Sequence, residues 1–157
     1  DSFDDEILIA DSGYGQGQIL MNPVQMTSIY SSFMNDGKMM TPHVVKSTET
    51  SVWAEPFSKE TTDEIKSDLI QVVEDNNGTA HALNNSQYQL AAKTGTGEIK
   101  ESQDDTTGTE LGWLSVASTD SSKPIVITTM VEDVKGRGGS NYVVNGIKQP
   151  LMSYLQK

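Results

Sequence analysis

The sequence predicts an α+β fold in which an antiparallel sheet meander is flanked by helices. Three segments rich in β-branched and apolar residues, at 90–100, 111–118 and 125–132, are separated by short loops of Thr, Asp, Ser and Gly. Apolar residues recur at helical spacing in the first half and again near the end of the chain. We therefore divide the chain into a helical segment, 1–88, and a sheet with a C-terminal helix, 89–157.

The helices are predicted from their caps and apolar faces. Asn22 is a good N-cap and Pro23 suits the first helical position. Ser58 or Thr61 begins a second helix, and Ser140 is expected to cap the last one. The apolar faces of the first two are formed by Met26, Ile29, Tyr30 and Phe33, and by Ile65, Leu69, Val72 and Val73.

The segment LAAKTGTGE, residues 90–98, carries a cation, two hydroxyls and two glycines on an otherwise apolar strand. Side chains alternate along a strand, so Lys93 and Gly95 point one way while Thr94 and Thr96 point the other. A carboxylate along this edge would meet two hydroxyl donors beside an ammonium. The Thr96 N–H, if it points off the sheet edge, would suit an oxyanion hole. The alternative is a surface hairpin strand with a solvated lysine.

Four segments of the chain form a set: SGYGQGQ (12–18), NPVQ (22–25), GTA (78–80) and AKTGT (92–96). In their order and spacing, and with Gly112-Trp113 after them, they resemble the C-terminal half of the transpeptidase domain of class B penicillin-binding proteins. The resemblance is greatest to the low-affinity, methicillin-resistance type of Gram-positive bacteria, and it covers nearly the whole chain.

The resemblance implies a serine β-lactamase/transpeptidase-like fold and a role for each residue of the KTGT box, residues 93–96. Lys93 and Thr96 would be catalytic, with Lys93 polarising the site and the Thr96 N–H facing the acyl oxygen. Thr94, Gly95 and Thr96 would bind substrate, the two hydroxyls holding its carboxylate. The implied enzyme is a D,D-transpeptidase that cross-links peptidoglycan stem peptides ending in D-Ala-D-Ala through a serine ester, and that binds β-lactams.

Two boxes of the family are missing from these residues. No lysine has a serine three positions before it, and no asparagine has a serine two positions before it. In the family, Ser-x-x-Lys supplies the nucleophile, so this chain is interpreted as the C-terminal portion of the domain, inactive without the remainder of that domain. Two alternatives stay open: an extracellular β-lactam-binding sensor domain, and a non-catalytic interaction fragment.

Composition excludes several other classes. A formal net charge of −11 leaves no basic surface for nucleic acid, so no nucleic-acid partner is predicted. The chain has no cysteine, and its two histidines, His43 and His81, lie far apart. The carboxylates Glu101, Asp104, Asp105 and Glu110 do not have the spacing of a calcium loop, so we predict no metal and no cofactor.

The glycine-rich run 13–17 also lacks the dinucleotide-binding spacing. We expect it to provide backbone freedom before a helix rather than a functional group. His81 is expected to be solvated. No apolar run in the sequence approaches the length of a membrane span. The resemblance implies a location on the extracellular, cell-wall side of the cytoplasmic membrane, held there by an N-terminal anchor upstream of this sequence.

Overall fold

A computed structural model of the chain describes residues 6–16, 19–46, 48–99 and 105–157. The predicted α+β class is confirmed. Lys100, Glu101 and Asp104, which belong to the predicted first strand and acidic loop, lie outside the described residues. The elements in chain order are α1 (Glu6–Gly13), α2 (Pro23–Phe33), β1 (Met39–Met40), β2 (Val52–Ala54), α3 (Lys59–Glu74), a 3₁₀ turn (His81–Leu83), β3 (Leu90–Ile99), β4 (Thr109–Ser118), β5 (Val126–Val131) and α4 (Ser140–Leu155).

The main sheet is an antiparallel meander in the order β3-β4-β5. Strand β3 pairs with β4 without interruption from Leu90↔Ser118 to Ile99↔Thr109. The predicted strands are confirmed to within two residues at their described ends. Strands β1 and β2 form a separate antiparallel pair. Among the described strands, β3 therefore has one edge bonded to β4 and one open edge.

Helices cover both faces of this sheet. On one face, Ala92 and Leu114 pack with Val143 and Leu151 of α4 in the larger core cluster. On the other face, Ala91 packs with Phe33 of α2 and Leu69 of α3. Neighbouring residues of β3 thus enter opposite cores, as the period of two requires.

The observed caps confirm two predictions and correct a third. The Asn22 carboxamide oxygen accepts from the Gln25 N–H at 2.9 Å, and the Ser58 hydroxyl accepts from the Thr61 N–H at 3.2 Å. Ser140, however, is the first helical residue of α4, and Gly139 is the N-cap. The cap has φ +59°, a conformation that glycine adopts far more readily than serine.

Helix α1 was not predicted as a helix, because Glu6–Ala10 is too short an apolar run for periodicity to distinguish helix from strand. Its C-terminal turn is closed by the Gln16 N–H, which donates to the Asp11 carbonyl at 2.9 Å, with Gly15 at φ +84°. None of the helices in the described part of the chain is long and apolar enough to cross a membrane.

Candidate active site

The open edge of β3 presents the backbone of alternate residues. The Thr119 N–H donates to the Gln89 carbonyl, which extends the β3–β4 ladder by one pair. In an antiparallel ladder, pairs that exchange both hydrogen bonds alternate with pairs that exchange none. Odd-numbered residues of β3 therefore bond to β4, and the N–H and C=O groups of Thr94 and Thr96 point to the open edge. This orientation of the Thr96 N–H is the one an oxyanion hole requires.

Lys93 lies on this edge as an exposed cation. Its ammonium donates to the Thr94 carbonyl at 2.7 Å, one of the groups that point outward. No carboxylate of the described residues lies within ion-pairing distance of the ammonium. The charge is therefore available to a ligand, and the Thr96 N–H follows it along the same edge.

The Thr96 side chain lies on the opposite face from Lys93, at the start of α4. A Cβ at Gly139 would lie 3.3 Å from the Thr96 hydroxyl, so the absence of a side chain there keeps space beside that hydroxyl. Helix α4 runs Ser140–Leu155, and the partial positive charge at its N-terminus favours an anion near this position. Thr96 thus combines a hydroxyl and an outward N–H near a helix terminus.

Thr94 is on the same face as Thr96, as predicted, but it is buried, with 6% of its surface exposed. Its hydroxyl lies 2.7 Å from the hydroxyl of Thr79, and either atom can be the donor. Thr79 is a site residue that sequence reasoning missed, although it lies within the GTA segment that carries the resemblance. The contact joins residues 15 positions apart, so no local pattern signals it.

Gln16 is the second missed residue. Its side-chain amide donates to the Thr96 carbonyl at 2.7 Å, across 80 positions of sequence. The glycine-rich run was expected to provide only backbone freedom, and the structure brings its Gln16 against the open edge. Since the amide N–H of an added peptide strand would donate to the same carbonyl, Gln16 occupies a position that such a strand would use.

Thr96 has three glycine neighbours in the sheet, and packing explains the one that lies across from it on β4. A Cβ at Gly112, which pairs with Thr96, would lie 2.7 Å from Val143 and 3.0 Å from Val134. A Cβ at Gly95 would make only an ordinary 3.5 Å contact with Trp113. Packing among the described residues therefore does not require glycine at 95, and its role in keeping the edge open to a ligand stays a prediction.

The turn that carries Thr79 also corrects the prediction for His81. This residue is half-buried, and its Nδ1 lies 3.1 Å from the Val73 carbonyl. The reason is that the chain folds back over the end of α3, where the Ala80 N–H donates to the Val72 carbonyl at 3.1 Å. His81 therefore helps to fasten this turn instead of standing in solvent.

Among the described residues, the pKa is clearly shifted at Tyr30, Lys59, Glu60 and Asp120. Burial raises the pKa of the Tyr30 hydroxyl. Hydrogen bonds from Lys59 to Asp63 and then to Asp36 raise the pKa of that ammonium. The Glu60 carboxyl has a lowered pKa, first through its own backbone N–H and then through the Ser58 hydroxyl. The Ser122 side chain, followed by its backbone N–H, lowers the pKa of Asp120.

Comparison with known proteins gives one consistent result. The sequence pattern of the family "Penicillin binding protein transpeptidase domain" matches residues 2–153. Penicillin-binding protein 3 of Bacillus subtilis (strain 168) is 38% identical over 156 residues, which are 98% of this chain and 23% of that protein. The chain thus spans less than a quarter of the length of this curated relative.

Solved structures agree at the level of the fold. PBPA from Mycobacterium tuberculosis superposes with a TM-score of 0.79 at 14% identity, covering 100% of this chain and 37% of that one. The imipenem acyl-enzyme complex of M. tuberculosis penicillin-binding protein A gives 0.78 at 14% identity, with 100% and 36% coverage. The predicted transpeptidase-like fold is confirmed. The chain belongs to the penicillin-binding protein transpeptidase family.

Proposed function

We propose that these 157 residues form the C-terminal portion of the transpeptidase domain of a class B penicillin-binding protein. The remainder of the same domain would supply the Ser-x-x-Lys and Ser-x-Asn boxes that are missing from this sequence. The family match over residues 2–153, together with the small share of the curated relative that the chain spans, supports this division.

The reaction would be acyl transfer between peptidoglycan stem peptides. A serine hydroxyl attacks the carbonyl between the two terminal D-alanines, the last D-alanine leaves as an amine, and the acyl group stays on the serine as an ester. An amine of a second stem peptide then attacks the ester, releases the serine and forms the cross-link. Each attack places negative charge on the acyl oxygen, which an N–H at the β3 edge would stabilise.

The orientation of the β3 edge is the observation that carries this proposal. The outward Thr96 N–H would face the acyl oxygen, and the Lys93 ammonium, already seated at the outward Thr94 carbonyl, would polarise the site. The Thr96 hydroxyl at the start of α4 would bind the substrate carboxylate together with the Thr94 hydroxyl. Gly95 between them would leave the ligand room to lie along the strand.

β-Lactams would react at the same place, because their strained amide imitates the D-Ala-D-Ala bond and their carboxylate imitates the C-terminus. The M. tuberculosis relative whose structure is an imipenem acyl-enzyme complex supports this part of the proposal. We further propose the low-affinity, methicillin-resistance type of Gram-positive bacteria, to which the resemblance of the four segments is greatest. We place the protein on the extracellular, cell-wall side of the cytoplasmic membrane, where its substrate lies.

The test is the acylation rate of the full-length protein by a fluorescent penicillin. Replacing Lys93 by Ala is expected to lower the second-order rate constant about 100-fold or more, because a charged group acting on the proton network of the nucleophile is lost. Lys148→Ala is the matched control, since Lys148 is an exposed lysine on α4. An unchanged rate in Lys93→Ala would refute the assignment.

A further inference from the structure

We infer that Thr79 is a positioning residue for the carboxylate-binding hydroxyl of Thr94. The inference rests on the proposed function and adds a residue to its site. Its starting observation is the 2.7 Å contact between the two hydroxyl oxygens. Neither hydroxyl has a second partner among the residues that the structure describes.

The number of protons in this pair determines which hydroxyl donates to which when a ligand binds. Two hydroxyls carry two protons, and their mutual hydrogen bond uses one of them. When Thr79 donates to Thr94, the Thr94 proton is left for a third acceptor. A carboxylate oxygen is such an acceptor, and its negative charge favours the order Thr79, Thr94, carboxylate. Each bond in a chain of this kind strengthens the next.

Thr79 is held in place by a turn that cannot easily shift. A Cβ at Gly78 would lie 2.3 Å from the Val72 carbonyl oxygen, so the backbone of the turn lies directly on the end of α3. Ala80 and Leu83, which follow, are fully buried in the larger core cluster. The Thr79 hydroxyl therefore meets Thr94 from a fixed support, while the Thr79 residue itself is exposed.

The consequence concerns ligands that carry a carboxylate. Without the Thr79 hydroxyl, the Thr94 hydroxyl loses the partner that fixes its rotamer and polarises its proton. Binding of a carboxylate should weaken, while reaction of the same ligand with its carboxylate masked should hardly change. A residue that merely stabilised the fold would change the reaction with both ligands by the same factor.

The experiment compares acylation of the full-length protein by benzylpenicillin and by its methyl ester. Thr79→Val keeps the shape of the side chain and removes the hydroxyl. It is expected to lower the acylation rate with benzylpenicillin about fivefold, which is the effect of losing one ordinary hydrogen bond. Reaction with the ester should change by less than about twofold, because no carboxylate is there to be bound. Thr79→Ser should restore the benzylpenicillin rate, and Thr50→Val, at an exposed loop threonine, is the matched control.

A double-mutant cycle shows whether Thr79 acts through Thr94. In a Thr94→Val background, the further change Thr79→Val should cause no additional loss. An equal loss on both ligands, no loss on either, or full additivity with Thr94→Val would overturn the inference. Should Thr79→Val fail to fold, Thr79→Ala enters the same cycle. A wild-type protein that benzylpenicillin does not acylate would refute the proposed function itself.

Discussion

At the residue scale, the properties of the β3 edge follow from alternation and from what stands opposite each side chain. The sequence predicted correctly that Lys93 and Thr94 face opposite sides, because a strand has a period of two. The bond from Thr94 to Thr79 and that from Gln16 to Thr96 were not predictable, since each joins segments whose meeting depends on the whole fold. The hydrogen-bond partners of polar residues near a predicted motif can therefore be assigned only from the structure.

Gly112 provides a residue-scale test of how tightly this edge is supported. Gly112→Ala is expected to lower the free energy of unfolding by about 1–3 kcal/mol, since the new methyl group would press on Val143 and Val134. Gly97→Ala in β3 is the control, because a Cβ there meets nothing within 4 Å. Urea denaturation of both variants measures the difference. Equal midpoints for the two variants would contradict the packing described here.

At the element scale, caps and periodicity predicted the helices well wherever a helix carried its own signal. Asn22, Pro23 and Ser58 mark the starts of α2 and α3 in the sequence and in the structure. The signals failed at α1, whose apolar run is short, and at the start of α4, where the left-handed conformation of Gly139 determines the cap instead of Ser140. The start of a helix is therefore predicted best when a nearby side chain accepts the hydrogen bond of a free backbone N–H at that end.

The Ser58 cap is the element-scale prediction. Ser58→Ala removes the hydroxyl that accepts from the Thr61 N–H, so the free energy of unfolding should fall by about 1 kcal/mol. Ser67→Ala, at an exposed position inside α3, should leave stability unchanged or slightly raised, since alanine favours a helix. Thermal unfolding followed by circular dichroism distinguishes the two. A loss at Ser67 as large as that at Ser58 would argue against the cap.

The Ser58 hydroxyl also affects the pKa of the Glu60 carboxyl. That hydroxyl is the second cause, after the Glu60 backbone N–H, of the lowered pKa of the Glu60 carboxyl. A lowered folded-state pKa contributes stability above the unfolded pKa, and that contribution is lost as the pH falls through the folded value. In Ser58→Ala the pKa of Glu60 should therefore rise toward 4.5, as measured by NMR titration of its side chain. An unmoved pKa would exclude this contribution from Ser58.

At the scale of the whole molecule, the sheet places its chemistry at one edge and its packing on two faces. Helices α2 and α3 cover one face and α4 covers the other. The open edge of β3 between them carries the outward Thr96 N–H and the Lys93 ammonium, which is bonded to the outward Thr94 carbonyl. The fold class was predictable because strands and helices are segregated along the chain. The serine nucleophile could not be predicted, because no serine of this sequence lies in a Ser-x-x-Lys pattern.

The proposed division of the site between this chain and the rest of the domain is tested most directly by intact-mass spectrometry after incubation with benzylpenicillin. The full-length protein is expected to gain the mass of one penicillin, because the proposed serine nucleophile and this β3 edge would then lie together. The 157-residue chain alone is expected to gain none. An adduct on the isolated chain, or none on the full-length protein after prolonged incubation, would contradict the account.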